Sequence, residues 1–265
     1  MFDGKELAKS KAEERQQKLA KIRRNRQRQL AVAAAILLFI LIGGFQLYKS
    51  GLFNITRIDV SGNKFVPSAT IKQACDISKN SNLLTVSTSD IGKRLRKNPW
   101  IKDVTIKRRL IGTLIVEVKE RTPIALVSLG GKFYLIDDDL FVLAERQYAD
   151  GTGIPTITDL AVDKITVGDR AVNDSLANAI RCLKSMDPSF RKTITLLAAS
   201  SVDKLSLYNK DDVEILYGEA KQAEKKNKVL QTILEEQGRQ VILIDIRNFP
   251  QSDPVIKRID LLPGQ

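Results

Sequence analysis

Three Ser-x-x-Lys tetrads are the arrangements in this 265-residue chain that could do covalent chemistry: Ser61–Lys64, Ser189–Lys192 and Ser201–Lys204. In such a pair the lysine amine takes the serine proton, provided the serine sits at the buried start of a helix. Ser61-Gly62-Asn63 also fits a Ser-x-Asn companion, and Lys49-Ser50-Gly51 is close to Lys-Thr-Gly. Their order along the chain is wrong for that chemistry, and Lys49 abuts an apolar run. Ser189 follows Asp187-Pro188, which ends a helix pattern instead of starting one. Lysine is frequent enough here for such matches to arise by chance. The run Asp137-Asp138-Asp139 offers oxygen ligands but lacks the spacing and distal bidentate glutamate of a calcium loop. It reads as a solvated turn. The chain has no histidine, which removes His-based triads, ordinary catalytic zinc sites and the usual base near neutral pH. Cys75 and Cys182 are far apart in helix-like segments and read as buried thiols, not a disulfide framework. The expectation is therefore a chain with no catalytic residue, no metal ligand and no cofactor.

The clearest physical signal is a membrane one. Leu30 to Tyr48 reads LAVAAAILLFILIGGFQLY, nineteen residues without a charge. At about 1.5 Å per residue it matches a hydrocarbon core of about 30 Å. The preceding residues 1–29 hold ten Lys/Arg against four acids, half of the net charge of +12. That placement favours a membrane surface and anionic lipid over nucleic acid. The arm is too long for the leading region of a cleaved signal, and Gly43-Gly44-Phe45-Gln46 offers no small-residue cleavage pattern. An uncleaved anchor is expected, with Arg23, Arg24, Arg26 and Arg28 holding the N-terminus in the cytoplasm and the C-terminus outside.

Two globular pieces follow a juxtamembrane link at residues 49–54. The first, residues 55–121, shows a short strand around Ile58 and Val60 and a turn at Ser61-Gly62-Asn63. Pro67 then suits a helix carrying Ile71 and Cys75, and Ser87 to Asp90 can cap a second helix. Alternating Val104 and Ile106, then Leu114, Val116 and Val118, give two more strands. The order β-α-α-β-β predicts a three-stranded sheet covered by two helices, with Trp100 as a core anchor and Lys107-Arg108-Arg109 as a solvated turn. The second piece, residues 122–249, has strand-like runs at Ile124–Leu129, Phe133–Ile136, Phe141–Leu143, Thr193–Leu197, Lys204–Leu207, Val213–Leu216 and Val241–Ile246. Helical spacing appears at Leu176, Ile180 and Leu183, and at Ala223, Leu230 and Ile233 up to Gly238. The fold class is α+β: one transmembrane helix, the small sheet module, and a larger mixed β-domain with two helices. Residues 250–265 contain three prolines and read as irregular. If Val241–Ile246 ends the sheet, its outer N–H and C=O groups offer pairing to a partner's strand.

Several motifs carry a family resemblance. Ile55 to Asn63 (ITRIDVSGN) resembles the opening of a POTRA module, as do Asn98 to Val104 (NPWIKDV), Lys107 to Leu110 and Val116 to Pro123. A POTRA directly behind one signal anchor is similar to the cell-division family called FtsQ or DivIB, here of the Gram-positive DivIB type. That resemblance implies a non-enzymatic divisome scaffold at the septal membrane that helps coordinate peptidoglycan synthesis. Implied partners are the bitopic proteins FtsL and DivIC/FtsB, with a septal penicillin-binding protein as a further one. It also implies a docking strand at Ile244, Asp245, Arg247, Asn248 and Phe249. Asp245 and Arg247 match the family's pattern, whereas Asn248 stands where some relatives have an aromatic residue, with Phe249 next to it. The alternative is a membrane-tethered cell-wall enzyme or wall-binding protein.

Overall fold

The computed structural model describes residues 4–78, 81–109, 112–149, 153–237 and 240–258. Asn80, Gly151 and Gly238, expected in loops or at a helix end, lie outside the described residues, as does the tail beyond Arg258.

The chain divides into two compact units. One unit comprises residues 1–58, 77–86 and 108–114. Its main element is α1 (Gly4–Lys49), a single helix of 46 residues. Alanine, leucine, lysine, arginine and glutamine dominate it, the residues that lose least freedom in a helix. Within α1, Arg23–Gln46 is long and apolar enough to cross a bilayer, and none of it is buried by protein. Arg23, Arg24, Arg26 and Arg28 are exposed on this helix.

The remaining elements of the small module are β1 (Arg57–Ser61), α2 (Ser68–Ala74), α3 (Thr88–Leu95), β2 (Ile101–Arg109) and β3 (Thr113–Glu120). Their sheet order is β1-β3-β2, so β3 is central. The predicted β-α-α-β-β order holds. Ser87 caps α3, its side chain accepting from the Asp90 amide at 3.2 Å, which fills one of the orphan donors of a helix start. Ile71, Ile91, Leu95, Val116 and Val118 are buried. Trp100 is half-buried and stacks on Phe65 with ring centroids 5.1 Å apart. Lys107-Arg108-Arg109 is not a turn; it forms the end of β2. The cross-strand pair of Lys107 Nζ with Glu117 at 3.0 Å keeps this polar stretch in the ladder.

The second unit, residues 59–76, 87–107 and 115–265, holds most of that small module and also carries β4 (Pro123–Leu129), β5 (Lys132–Asp137), β6 (Val142–Arg146), β7 (Thr156–Thr158), α4 (Asp174–Lys184) and α5 (Pro188–Arg191). It continues through β8 (Ile194–Ala199), β9 (Leu205–Asn209), β10 (Glu214–Leu216), α6 (Ala223–Gln237), β11 (Val241–Asp245) and β12 (Val255–Arg258). One nine-stranded sheet runs in the order β12-β11-β10-β9-β8-β7-β4-β5-β6. The pairs β4/β7, β7/β8 and β10/β11 are parallel and the rest antiparallel. Its core joins sheet residues such as Val127, Ile136, Leu197, Leu207 and Ile244 to α4 and α6 residues such as Leu176, Ile180 and Leu230.

Two expectations change here. Val241–Ile246 does not end the sheet, and the stretch after residue 250 is not wholly irregular. Residues Val255–Arg258 return antiparallel along β11, with Ile256 opposite Ile244. The prolines flank this strand and do not interrupt it, so its amides remain free for the ladder. β7 and the single turn α5 were not anticipated either. Each is three or four residues long, too short to show a period.

Gly62 fixes the turn after β1. Its φ is +83° and an added Cβ would overlap the backbone carbonyl oxygen of Val118 on β3. Gly62→Ala is expected to lower stability by about 2 kcal/mol or more, read as a lower thermal midpoint; an unchanged midpoint contradicts this packing.

Candidate functional site

The serine tetrads do not assemble a nucleophile. Asp187-Pro188 starts the single turn α5 as well as following α4: Ser189 lies in that turn, which Asp187 caps by accepting from the Ser189 amide at 2.8 Å. The Ser189 hydroxyl donates to the same Asp187 carboxylate, and the Ser201 hydroxyl donates to Asp203 at 2.7 Å. Neither points its proton at the lysine of its motif. Both carboxylates are held below their ordinary pKa, first of all by these serine hydrogen bonds. They are therefore weak bases at neutral pH. Ser61 is exposed at the end of β1.

The acidic run is a structural knot, not a solvated turn. Asp137 is 1% exposed and accepts from the amides of Asp139 and Phe141 at 2.9 and 2.8 Å. Arg121 Nη1 meets it at 2.7 Å, with the guanidinium 4.0 Å over the Phe141 ring. Lys102 pairs with Asp139 at 2.6 Å and Lys184 with Asp138 at 2.8 Å. The three carboxylates could converge on a cation, since their oxygens lie within 4.8 Å of one another. Three side-chain cations already face them. The hydrogen bond from Lys102 holds the Asp139 pKa low, and Asp138 raises that of Lys184. The knot joins β2, the β3–β4 junction and α4 to the β5–β6 turn.

Cys75 and Cys182 are free and buried. Burial pushes the Cys182 thiol up to about 12, so it is no nucleophile at neutral pH.

The C-terminal end of the sheet is built differently. α6 presents Ala223, Lys226, Asn227, Leu230 and Ile233 to the interior. Lys226 is 1% exposed, and its ammonium donates to the carbonyls of Tyr217 and Glu219 at 3.0 Å and of Arg247 at 3.1 Å. Three donors meet three acceptors, and the charge lies 5.0 Å from the Tyr217 ring centre. Burial still pulls its pKa below the ordinary lysine value. Asn178 of α4 supports the same turn, donating to Val202 and Gly218 carbonyls and accepting from the Ala220 amide. Asn227 ties α6 to the Cys182 carbonyl at 3.0 Å. The chain leaving β11 is thus fixed at Arg247, where Arg247 Nε also donates to Asp245 at 3.0 Å.

Of the expected docking residues, Ile244 is buried in the core and paired to Ile215 on one side and Ile256 on the other. Asp245 and Arg247 form an ion pair, Asn248 is exposed, and Phe249 is half-buried against the core. β12 lies at the end of the strand order, paired only to β11 among the described residues, with Val255, Lys257 and Arg258 exposed. Lys226 and β12 escaped the sequence reading, although both left a trace. Lys226 and Asn227 fall on the apolar spacing of α6, and Val255-Ile256 is an apolar pair after Pro254.

Known proteins share both parts of this architecture. Residues 53–121 match the POTRA domain of FtsQ type, and residues 125–261 match the C-terminal domain of the cell division protein FtsQ/DivIB. The chain belongs to the FtsQ/DivIB family. A cell division protein FtsQ from Syntrophotalea carbinolica is 28% identical over 67% of this chain and 61% of its own length. The match thus spans somewhat under two thirds of that relative. DivIB from Clostridium tetani is 21% identical over 72% of this chain and 73% of the relative. FtsQ from an Anaeromyxobacter strain is 27% identical over 80% and 74%. Among solved structures, the major extracytoplasmic domain of DivIB from Geobacillus stearothermophilus aligns with 46% of this chain and 98% of its own, at 16% identity and a TM-score of 0.33. With one apolar N-terminal helix ahead of a POTRA, this FtsQ/DivIB chain is a membrane-anchored cell division protein.

Lys226→Met removes the donor from three buried carbonyls and is expected to cost about 3 kcal/mol, measured as a lower urea midpoint for the full chain in micelles. An unchanged midpoint would show that those carbonyls need no ammonium. The Asp245 carboxyl is held low, chiefly by its hydrogen bond with Arg247. Its stabilising part is then complete above the unfolded value of about 3.9 and is lost as pH falls through the lower folded value. An NMR titration of the Asp245 carboxyl should give a midpoint below about 3.9; a midpoint above it contradicts the pair.

Proposed function

We propose that this FtsQ/DivIB chain is a non-enzymatic divisome scaffold. Its β-domain lies outside the cytoplasm and captures small bitopic division proteins of the FtsL and DivIC/FtsB kind. Through them it coordinates septal peptidoglycan synthesis, with a septal penicillin-binding protein as a further contact. The basic arm, with Arg23, Arg24, Arg26 and Arg28, stays in the cytoplasm against anionic lipid. No cofactor, metal or nucleic acid takes part.

The observation that carries the reading is the terminal strand of the nine-stranded sheet. β12 has four residues and a partner strand on one side only among the described residues. An added strand would find main-chain pairing there, and side-chain pockets would set its identity. The docking site is thereby shifted one strand outward from the Ile244 ladder, which β10 and β12 already occupy. Asp245, Arg247, Asn248 and Phe249 flank it through the loop that enters β12. The buried Lys226 has a positioning role, since it fixes Arg247 at the start of that loop.

Photo-crosslinkers placed singly along residues 242–258 of the full chain in dividing cells test this reading. Adducts with small bitopic division proteins should concentrate at Val255–Arg258. Removing residues 255–265 should abolish capture while the POTRA stays folded. Adducts confined to other positions, or capture that survives the deletion, would remove β12 from the interface.

A further inference from the structure

The unit built on α1 does not let the membrane helix go at Lys49. The Tyr48 carbonyl accepts from Asn82 Nδ2 at 3.5 Å, and Asn82 forms an antiparallel bridge with Asn54. Leu83 N donates to the Phe53 carbonyl at 2.7 Å and Ile55 N to the Ser81 carbonyl at 2.8 Å. Thr56 N and Arg57 N donate to the Gly112 carbonyl at 2.8 and 3.1 Å. Residues 50–58, the 81–86 loop and the turn at Gly112 are therefore gathered at the C-terminal end of the membrane helix. They share one compact unit with it.

This gathered surface has a distinctive chemistry. Leu52 and Leu84 are 55% and 51% exposed. The Leu84 amide is fixed on Asn82 Oδ1 at 2.9 Å, so Leu84 is held two residues from the asparagine that touches Tyr48. Among the described residues of segments 49–58, 77–86 and 108–114 the charged side chains are Lys49, Arg57, Arg108 and Arg109. Arg108 Nη2 donates to the Val86 carbonyl at 2.8 Å, which joins the cationic strand end to the same loop. Bilayer headgroup layers add roughly 5–8 Å beyond each side of the hydrocarbon core. Leu52 follows Tyr48 by only four residues, within that depth.

We propose that this juxtamembrane surface docks onto anionic lipid of the leaflet at the C-terminal end of α1. Leu52 and Leu84 enter the boundary between headgroups and acyl chains, and the basic residues face lipid phosphates. Continuity with the membrane helix, the paired exposed leucines and the one-signed charge all favour lipid as occupant over a protein. The attachment makes this juxtamembrane surface a second membrane contact beside the helix, independent of partner capture at β12.

The full chain in nanodiscs tests it, with a nitroxide label on Leu84→Cys or Leu52→Cys; both sites are exposed, whereas the native Cys75 and Cys182 are buried. A label on Phe39→Cys, inside the span, is the membrane reference. In nanodiscs of phosphatidylglycerol and phosphatidylcholine, labels at 84 and 52 should collide with oxygen several-fold more than with a water-soluble nickel chelate. That preference should fall in phosphatidylcholine alone. Nickel collisions as frequent as for free label in solution would overturn the docking. Equal preference in neutral and anionic discs would overturn the role of the cations.

Discussion

The ammonium of Lys226 lies within hydrogen-bonding reach of the carbonyls of Tyr217, Glu219 and Arg247. These carbonyls belong to the exit of β10, the approach to α6 and the exit of β11. In a protein interior an unpaired ammonium or an unpaired carbonyl is strongly unfavourable, so the three segments can be buried together only in the arrangement where all find each other. That condition fixes where the chain turns away after Ile246. It thereby fixes the loop that returns as β12. Asn178 applies the same constraint from α4 and Asn227 from α6, each meeting backbone groups that no strand satisfies.

A second polar knot does comparable work at the other end of the β-domain. Arg121 follows β3 directly, and its pair with buried Asp137 places a charge contact where the POTRA chain becomes β4. Lys102 and Lys184 neutralise the remaining acids of the turn. Such a junction restricts the hinge that a bare two-residue link would leave between the small sheet and β4. Asp137 and Asp187, like the hydroxyls of Ser189 and Ser201, are engaged in holding backbone or one another.

The α+β class, the membrane helix and the β-α-α-β-β order were legible in the sequence because each is a local pattern. An uncharged nineteen-residue run, a capping serine before α3 and alternation at Val116 and Val118 all report on near neighbours. Less legible were β7 and β12, three and four residues long, whose existence depends on a neighbouring strand to pair with. The end of the sheet was misplaced by one strand for that reason. Leu243 to Ile246 looked like an edge because nothing in the following residues, rich in proline, announced a return. Asp137 looked solvated because three consecutive aspartates usually are, and it is Arg121, sixteen residues earlier, that with the amides of Asp139 and Phe141 makes its burial favourable.

Sequence alone therefore determined the apolar span and the longer helices and strands, since those follow from periodicity and hydrophobicity over a dozen or so residues. It also determined that histidine chemistry is absent and that positive charge collects beside the span. Tertiary structure decided which strand ends the sheet, which charges are buried and which backbone groups remain available. Those outcomes depend on pairing between residues far apart in the chain. A lysine is a surface residue or the centre of a buried cluster according to whether distant carbonyls converge on it, and no local pattern carries that information.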